Sequence, residues 1–254
     1  METVGQMPFL TVLLIVFMIL IFAQVLALLL HMSGFTPLEV ILLIAFPLLA
    51  YISALPVVGI SISGFYSGLF GTVFGTARVF DVPLLHLSGS IIGFNLLGFF
   101  IPVIITVKML AQRRVPLRQF CLVAAITAGI THLYSVVVPG VGVAIYLFAI
   151  PPILAAAIAF MLRKMKGARD FNPALLAYAG ATIGILVGAD LLNLYRLVTH
   201  YTDSPVFISI GGGSVLDAIF LAGIVALLAD LVFRSQEENL LRPLVNLFRG
   251  GDRK

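Results

Sequence analysis

The chain has little charge and almost no cysteine. Of its 254 residues, 10% are charged, 61% are hydrophobic, and Cys121 is the single cysteine. A soluble domain does not have enough interior to bury so much apolar surface, so the composition is typical of an integral membrane protein. One cysteine excludes an internal disulfide and a cysteine cage around a metal. We interpret Cys121 as a packing residue.

Several catalytic motifs are also absent. The sequence has no His-Glu-x-x-His zinc motif, and no Gly-x-Ser-x-Gly nucleophile motif in a membrane context. The net charge of +4 does not indicate a nucleic-acid partner, because the basic residues lie in short connections between apolar segments. We therefore expect no metal, no cofactor and no nucleic acid.

Seven apolar segments are each near or above the roughly 20 residues that cross a bilayer as a helix. They predict an all-α, multi-pass bundle in the cytoplasmic membrane, with residues 1–234 as one transmembrane domain and 235–254 as a cytoplasmic tail. The first segment is too long for a cleavable signal peptide, and it lacks the basic residues that begin one. The predicted spans are residues 8–31, 37–60, 87–111, 118–138, 141–163, 172–198 and 206–233.

The distribution of basic residues orients these spans. Thirteen of the 15 fall in the connections after the third and fifth spans or after the seventh, which leaves Arg78 and Arg196 for the other side. Cytoplasmic connections carry the excess of lysine and arginine. The pattern predicts an N-terminus outside, a C-terminus in the cytoplasm, and membrane lipids as partners.

The predicted outside connection at residues 61–81 is rich in glycine and aromatic residues. One interpretation is a re-entrant segment covered by protein or water. The other is an external loop whose aromatic residues rest at the headgroup level.

Two aspartates lie well inside predicted spans. Asp190 is about ten residues before the turn at His200, which corresponds to about 15 Å at 1.5 Å per residue. Asp217 lies at nearly the same depth in the last span. A charged side chain in the bilayer costs at least about 2.5–3.5 kcal/mol, so the pair predicts a functional site on the hairpin 172–233.

Glycines and other polar residues accompany this pair. Three glycines at four-residue spacing predict a close approach of another helix. Gly211, Gly212 and Gly213, just before Asp217, provide a place where the helix unwinds or a substrate backbone enters. Further candidates for binding or orienting a substrate are Asn95, His132 and Asn193. Interhelical hydrogen bonding is the alternative role for Asn95 and His132. The three glycines at four-residue spacing are Gly180, Gly184 and Gly188.

Paired aspartates on consecutive membrane helices resemble the intramembrane aspartyl proteases, the group of presenilin, signal peptide peptidase and prepilin peptidase. The Gly-x-Gly-Asp motif of that group is absent: Asp190 follows Gly188-Ala189, and Asp217 comes four residues after Gly213. Two stretches, Gly-Ala-Asp-Leu-Leu-Asn at residues 188–193 and Ile-Gly-Gly-Gly-Ser-Val-Leu-Asp-Ala-Ile-Phe at residues 210–220, also resemble an uncharacterised family of prokaryotic multi-pass membrane proteins. This resemblance covers most of the chain and implies no activity.

Three functions remain in competition. The first is an intramembrane aspartyl-type peptidase that acts on peptides or membrane proteins with Asp190 and Asp217 as its catalytic pair. The second is a proton- or cation-coupled transporter that uses the same aspartates, since buried acids and glycine-rich helices also occur in carriers. The third is a scaffold in which the carboxyls pair for structural reasons. The sequence leaves the oligomeric state open.

Overall fold

A computed structural model describes residues 9–44, 81–87, 90–138, 142–165, 171–200, 207–211 and 218–238. Helix is the main secondary structure of these residues, which confirms the prediction of a mostly helical chain. The residues 61–80 of the glycine-rich connection lie outside the described residues, as do 239–254 of the predicted tail. The α-helices are α1 (Phe9–Met32), α2 (Ile101–Ala111), α3 (Leu117–Tyr134), α4 (Ile150–Lys164), α5 (Pro173–Ile185), α6 (Leu194–His200) and α7 (Ala218–Glu238), and residues 37–44 are helical too.

Two π-helices and five strands complete these elements. The π-helices are π1 (Leu96–Phe100) and π2 (Leu186–Leu191). A three-stranded sheet has β2 in the middle, antiparallel to β1 and parallel to β5, and a separate hairpin pairs β3 with β4. The strands are β1 (Asp81–Leu87), β2 (Ser90–Asn95), β3 (Ser135–Val138), β4 (Gly142–Ile145) and β5 (Phe207–Ile210).

These strands correct the all-α prediction. Four predicted spans contain a strand at one end: β2, β3, β4 and β5 lie within residues 87–111, 118–138, 141–163 and 206–233. The strand sequences, such as Ser135-Val-Val-Val and Phe207-Ile-Ser-Ile, are rich in β-branched and aromatic residues, which favour extended backbone. Periodicity does not separate a short apolar strand from the end of an apolar helix.

Helix α5 is at the centre of the bundle and packs against α2, α3, α4 and α7. Twelve of its 13 residues are buried. Its small residues Ala177 and Ala181 share one core with Ala155, Ala156 and Ala159 of α4. The stretch Pro173–Thr199 is the one helical stretch among the described residues that is long and apolar enough to cross a membrane by length and composition. Several shorter apolar helices accompany it.

The glycine spacing in α5 and π2 has the predicted effect, because α3 packs directly on these glycines. A Cβ added to Gly184 would lie 2.6 Å from Thr127 Cβ and 2.9 Å from the carbonyl oxygen of Ala124. Gly180 meets Val123 and Gly188 meets the carbonyl of Ala128 in the same way. The prediction that this ridge allows a helix to approach closely is confirmed.

Prolines begin helices in this fold. Proline occupies the first turn of α4 and α5, where a missing N–H removes no helical hydrogen bond. Pro102 stands where π1 runs directly into α2. Asn172 caps α5: its Oδ1 accepts a hydrogen bond from the Ala174 N–H at 2.9 Å. Its Nδ2 donates to the Ser33 carbonyl at 2.9 Å, which joins the start of α5 to the turn after α1.

Candidate functional site

Asp190 lies in π2, near the end of the central helical stretch. The Leu192 N–H donates to the Val187 carbonyl, five residues earlier, at 2.9 Å, which is the wider π-type ring. A π-helix inserts an extra residue per turn, so the side chains after it point in a different direction from those of a regular α-helix. Such segments are frequent at functional sites.

The carboxylate of Asp190 binds the backbone at the end of β5. The Gly211 N–H donates to Asp190 Oδ2 at 2.7 Å. A hydrogen bond to an ionised acceptor is shorter and stronger than one between neutral groups. Asp190 is partly buried and therefore keeps some exposure beside this contact.

Gly211 can only be glycine in this geometry. Its φ is +89°, which L side chains rarely adopt, and an added Cβ would lie 2.6 Å from the backbone nitrogen of Phe99. Phe99 belongs to π1 and stacks edge-on against Phe94 and Phe100. Gly211 is thus held between π1 on one side and the Asp190 carboxylate on the other.

Asn95 ends β2 and precedes π1. The parallel register pairs Phe94 with Ile210, so the next positions along the two strands are Asn95 and Gly211. The Asn95 side chain is buried, and its Oδ1 accepts a hydrogen bond from the Gly98 N–H at 2.9 Å. The structure therefore places Asn95 at the level of Gly211, at a strand end instead of inside the predicted helix.

Asn193 is fully buried and lies two residues after the last residue of π2, in the two-residue turn before α6. Its Nδ2 donates to the Ala189 carbonyl at 2.9 Å, to the Gly188 carbonyl at 3.3 Å and to Ser135 Oγ at 2.8 Å. The Ser135 hydroxyl in turn donates to the His132 carbonyl at 2.9 Å. These bonds join π2 to the end of α3.

His132 lies in the last turn of α3 and is partly buried. Its Nδ1 is buried and has no hydrogen-bond partner among the described residues. Its backbone carbonyl, through Ser135, belongs to the hydrogen-bonded group around Asn193. The remaining predicted site residues, Asp217, Gly212 and Gly213, lie outside the described residues.

Sequence reasoning missed a second polar group at the other end of the bundle. Glu39 is fully buried; Lys108 lies 3.1 Å from its Oε1 and Arg114 2.7 Å from the same oxygen. The Thr36 N–H donates to Glu39 Oε2 at 2.8 Å, and Arg114 also donates to the Gly34 carbonyl. The one feature of the sequence that could have indicated this group is that Glu39, Lys108 and Arg114 fall on the same predicted side of the membrane.

Ser135 was also not selected from the sequence, and Gly211 was selected for its place before Asp217 and not for a contact with Asp190. A serine at the start of an apolar strand and the first of three glycines carry no distinctive spacing. Their roles depend on contacts with residues 58 and 21 positions away in the sequence. Within the part of the chain that the structure describes, no cluster of three or more histidine, cysteine, aspartate or glutamate side chains has a geometry that could hold a metal ion.

A family model of proteins of unknown function, DUF1614, matches residues 77–229. The matched region includes every site residue predicted from the sequence, from Asn95 to Asp217. No curated protein and no solved structure matches the chain, so the comparisons give no support to a protease resemblance. Because the match covers more than half of the chain, the protein belongs to the DUF1614 family, whose function is unknown.

Proposed function

We propose that the protein is a membrane-embedded aspartyl-type peptidase in which Asp190 and Asp217 form the catalytic pair. The observation that carries the proposal is the 2.7 Å hydrogen bond from the Gly211 N–H to Asp190 Oδ2. This bond holds Gly211, the first residue of the segment that leads to Asp217, against the Asp190 carboxylate. Asp217 follows Gly211 by six residues, so even a fully extended chain keeps it within about 22 Å, and any compact path brings it much closer.

The proposal includes a seven-span topology with the N-terminus outside and the C-terminus in the cytoplasm. The charge distribution supports it, and so do the contacts at the Glu39 end of the bundle. The end of α2, the end of α4 and the start of α5 meet there through Lys108, Arg163 and Asn172. In this topology all three of these helix ends are cytoplasmic, and Asp190 lies toward the outer face.

Two carboxyls a few ångströms apart cannot both ionise, so the pair holds one shared proton. The ionised carboxylate removes a proton from a water molecule, whose oxygen forms a bond to the carbonyl carbon of the substrate peptide. The protonated partner gives its proton to the carbonyl oxygen. The C–N bond then breaks, the nitrogen takes a proton from the first carboxyl, and the gem-diol returns its proton to the second, which restores the pair.

The other candidate residues surround this chemistry. Asn95 and His132 orient the substrate in this proposal, and Gly212 and Gly213 leave room for its backbone. The third candidate, Asn193, is fully buried and bonded to protein groups, so it acts on the site from behind. Membrane lipids and a peptide or membrane-protein substrate are the proposed partners.

The test is peptide cleavage by the purified protein in detergent and in liposomes, over a broad pH range. Asp190→Asn and Asp217→Asn remove an acid at nearly constant size. Because acid–base groups contribute about 10²–10⁴-fold, each variant is expected to lose at least about 100-fold in rate. Asp252→Asn, in the tail, serves as the matched control.

Cleavage that survives in either site variant, or a wild-type protein that cleaves none of the peptides and membrane-protein substrates, contradicts the proposal. A loss that Asp252→Asn shares would show that the assay reports on the preparation and not on the site.

A proton- or cation-coupled transporter is the second candidate, and buried polar groups favour it. The hydroxyls of Thr106, Thr127 and Thr131 are buried and have no hydrogen-bond partner among the described residues. Such groups are expensive in an apolar interior unless water or an ion reaches them. Ion flux into liposomes that Asp190→Asn abolishes, in a protein without cleavage activity, would support the transporter and refute the peptidase.

A further inference from the structure

We propose that Asn193 and Ser135 form a positioning pair that sets the direction of the Asp190 carboxyl. The inference deepens the proposed function and rests on Asp190 being a reacting group. Neither residue touches the reacting atoms, so both act through Asp190. Ser135 has no role in the catalytic pair itself.

The first step in the reasoning is the peptide plane before Asp190. The Ala189 carbonyl and the Asp190 N–H belong to one planar peptide unit. Asn193 Nδ2 binds that carbonyl at 2.9 Å and the preceding carbonyl, of Gly188, at 3.3 Å. Fixing the plane fixes the N–Cα bond of Asp190, and together with the helical φ of a residue in π2 it sets the direction of the Cα–Cβ bond.

The second step is the location of these carbonyls at the end of π2. The last carbonyls of a helix lack the N–H donors of a following turn and need other partners. A turn follows π2 at once, and the amide of Asn193 supplies donors for two of these carbonyls. Without that amide, the end of π2 would be free to adopt the narrower α-helical ring, which rotates the side chain of Asp190.

The third step is the anchor on α3. Asn193 Nδ2 also donates to Ser135 Oγ at 2.8 Å, and the Ser135 hydroxyl donates to the His132 carbonyl. Ser135 stands where α3 ends and β3 begins, so its position is defined by both elements. The amide is thereby held against a second helix, and the end of π2 is held with it.

The fourth step is burial. Asn193 is 0% exposed and Ser135 is 5% exposed. Hydrogen bonds in a low-dielectric interior are stronger than in water. Asn193 Oδ1 is buried and has no hydrogen-bond partner among the described residues, so the Nδ2 contacts alone orient this amide. Asp190 itself is only partly buried and faces Gly211, so the rigid pair lies behind a carboxyl that remains reachable.

The experiment measures Asp190 directly. Purified full-length protein is treated with a hydrophobic carbodiimide, which modifies carboxyls in apolar surroundings, and modification at Asp190 is followed by peptide mass spectrometry as a function of pH. The variants are Asn193→Leu, which has nearly the same size without the donor, and the pair Ser135→Ala and Ser135→Thr, which differ in the hydroxyl. Thr199→Ala is the control, because among the described residues the Thr199 hydroxyl bonds within its own helix, at 2.9 Å to the Tyr195 carbonyl and 3.3 Å to the Arg196 carbonyl.

Asn193→Leu and Ser135→Ala are expected to change the rate of Asp190 modification at least about threefold and to displace its pH midpoint. Ser135→Thr and Thr199→Ala are expected to keep the wild-type rate. Unchanged modification in Ser135→Ala, or an equal change in Ser135→Thr, overturns the inference. If Asn193→Leu does not fold, the two Ser135 variants decide the question.

The result is separable from the proposed function. Carbodiimide modification needs no peptidase activity, so positioning can be confirmed even if no substrate is cleaved. Where cleavage is measured, Ser135→Ala is expected to lower kcat with little change in KM, since the substrate does not contact Ser135. A change in KM alone would contradict a positioning role.

Discussion

Replacing Gly188 by alanine tests the contact that holds π2 against α3. A Cβ at this position would meet the carbonyl oxygen of Ala128, lie 2.8 Å from Thr131 Cβ and lie 3.0 Å from the Ala128 carbonyl carbon. Real Cβ atoms do not come so close to other heavy atoms. Because the nearest atoms belong to the backbone, no side-chain rotation relieves the clash, and the two helices must separate.

The magnitude follows from two opposing terms. Forcing an additional carbon into a well-packed contact costs about 1–3 kcal/mol. Alanine gains about 1 kcal/mol over glycine in a helix interior, because glycine loses more backbone entropy on folding. We therefore expect Gly188→Ala to lower the free energy of unfolding by up to about 2 kcal/mol, the difference between the two terms.

Gly129 provides the matched control. It lies on α3, and a Cβ added there would meet nothing within 4 Å. Gly129→Ala keeps the propensity term without the clash and is expected to leave the protein as stable or up to about 1 kcal/mol more stable. Unfolding would be measured in detergent, by heat and by denaturant titration followed with circular dichroism. Equal stability of the two variants would refute the close contact between π2 and α3.

Three further perturbations have defined outcomes in the same unfolding assay. Glu39→Ala leaves Lys108 and Arg114 without their buried carboxylate. It is expected to lower the free energy of unfolding by about 2 kcal/mol, a value between those of exposed and buried ion pairs. The control is Arg118→Ala, which removes an exposed cation and is expected to change stability little. Gly211→Ala is expected to cost about 2–5 kcal/mol, because alanine is strained at φ +89° and its Cβ would lie 2.6 Å from the Phe99 backbone nitrogen, and to alter carbodiimide modification of Asp190. Asn172→Ala removes both the cap of α5 and the hydrogen bond to the Ser33 carbonyl and should cost about 1–3 kcal/mol; unchanged stability would contradict both roles.

The glycine ridge was the most predictable part of the fold. Small residues at four-residue spacing define one helix face, and that face meets α3 as expected. The strands were not predictable in the same way. Segments such as Ser135–Val138 are too short and too uniformly apolar for the sequence to separate them from helix ends, and their pairing is decided by partners far away in the chain.

The candidate site was partly predictable for a related reason. Asp190 could be selected because an acid in an apolar run is costly wherever it lies. Its contact with Gly211 could not be predicted, because that contact depends on the π-type ring around Asp190 and on the end of β5. Glu39 was passed over because an acid near a span end has an ordinary interfacial explanation, and only the fold shows it fully buried between Lys108 and Arg114.

The central claim, that Asp190 and Asp217 form one site, is tested most directly by their proximity. Asp190→Cys and Asp217→Cys would be combined in a Cys121→Ser background and treated with a short thiol cross-linker, with the product identified by mass spectrometry. The control pairs Asp190→Cys with Val232→Cys, because Val232 is exposed and lies about 21 Å along α7 from the start of that helix at 1.5 Å per residue. The account predicts rapid cross-linking of the first pair and little of the second. Absence of the cross-link in the first pair, or equal rates in both, would contradict it.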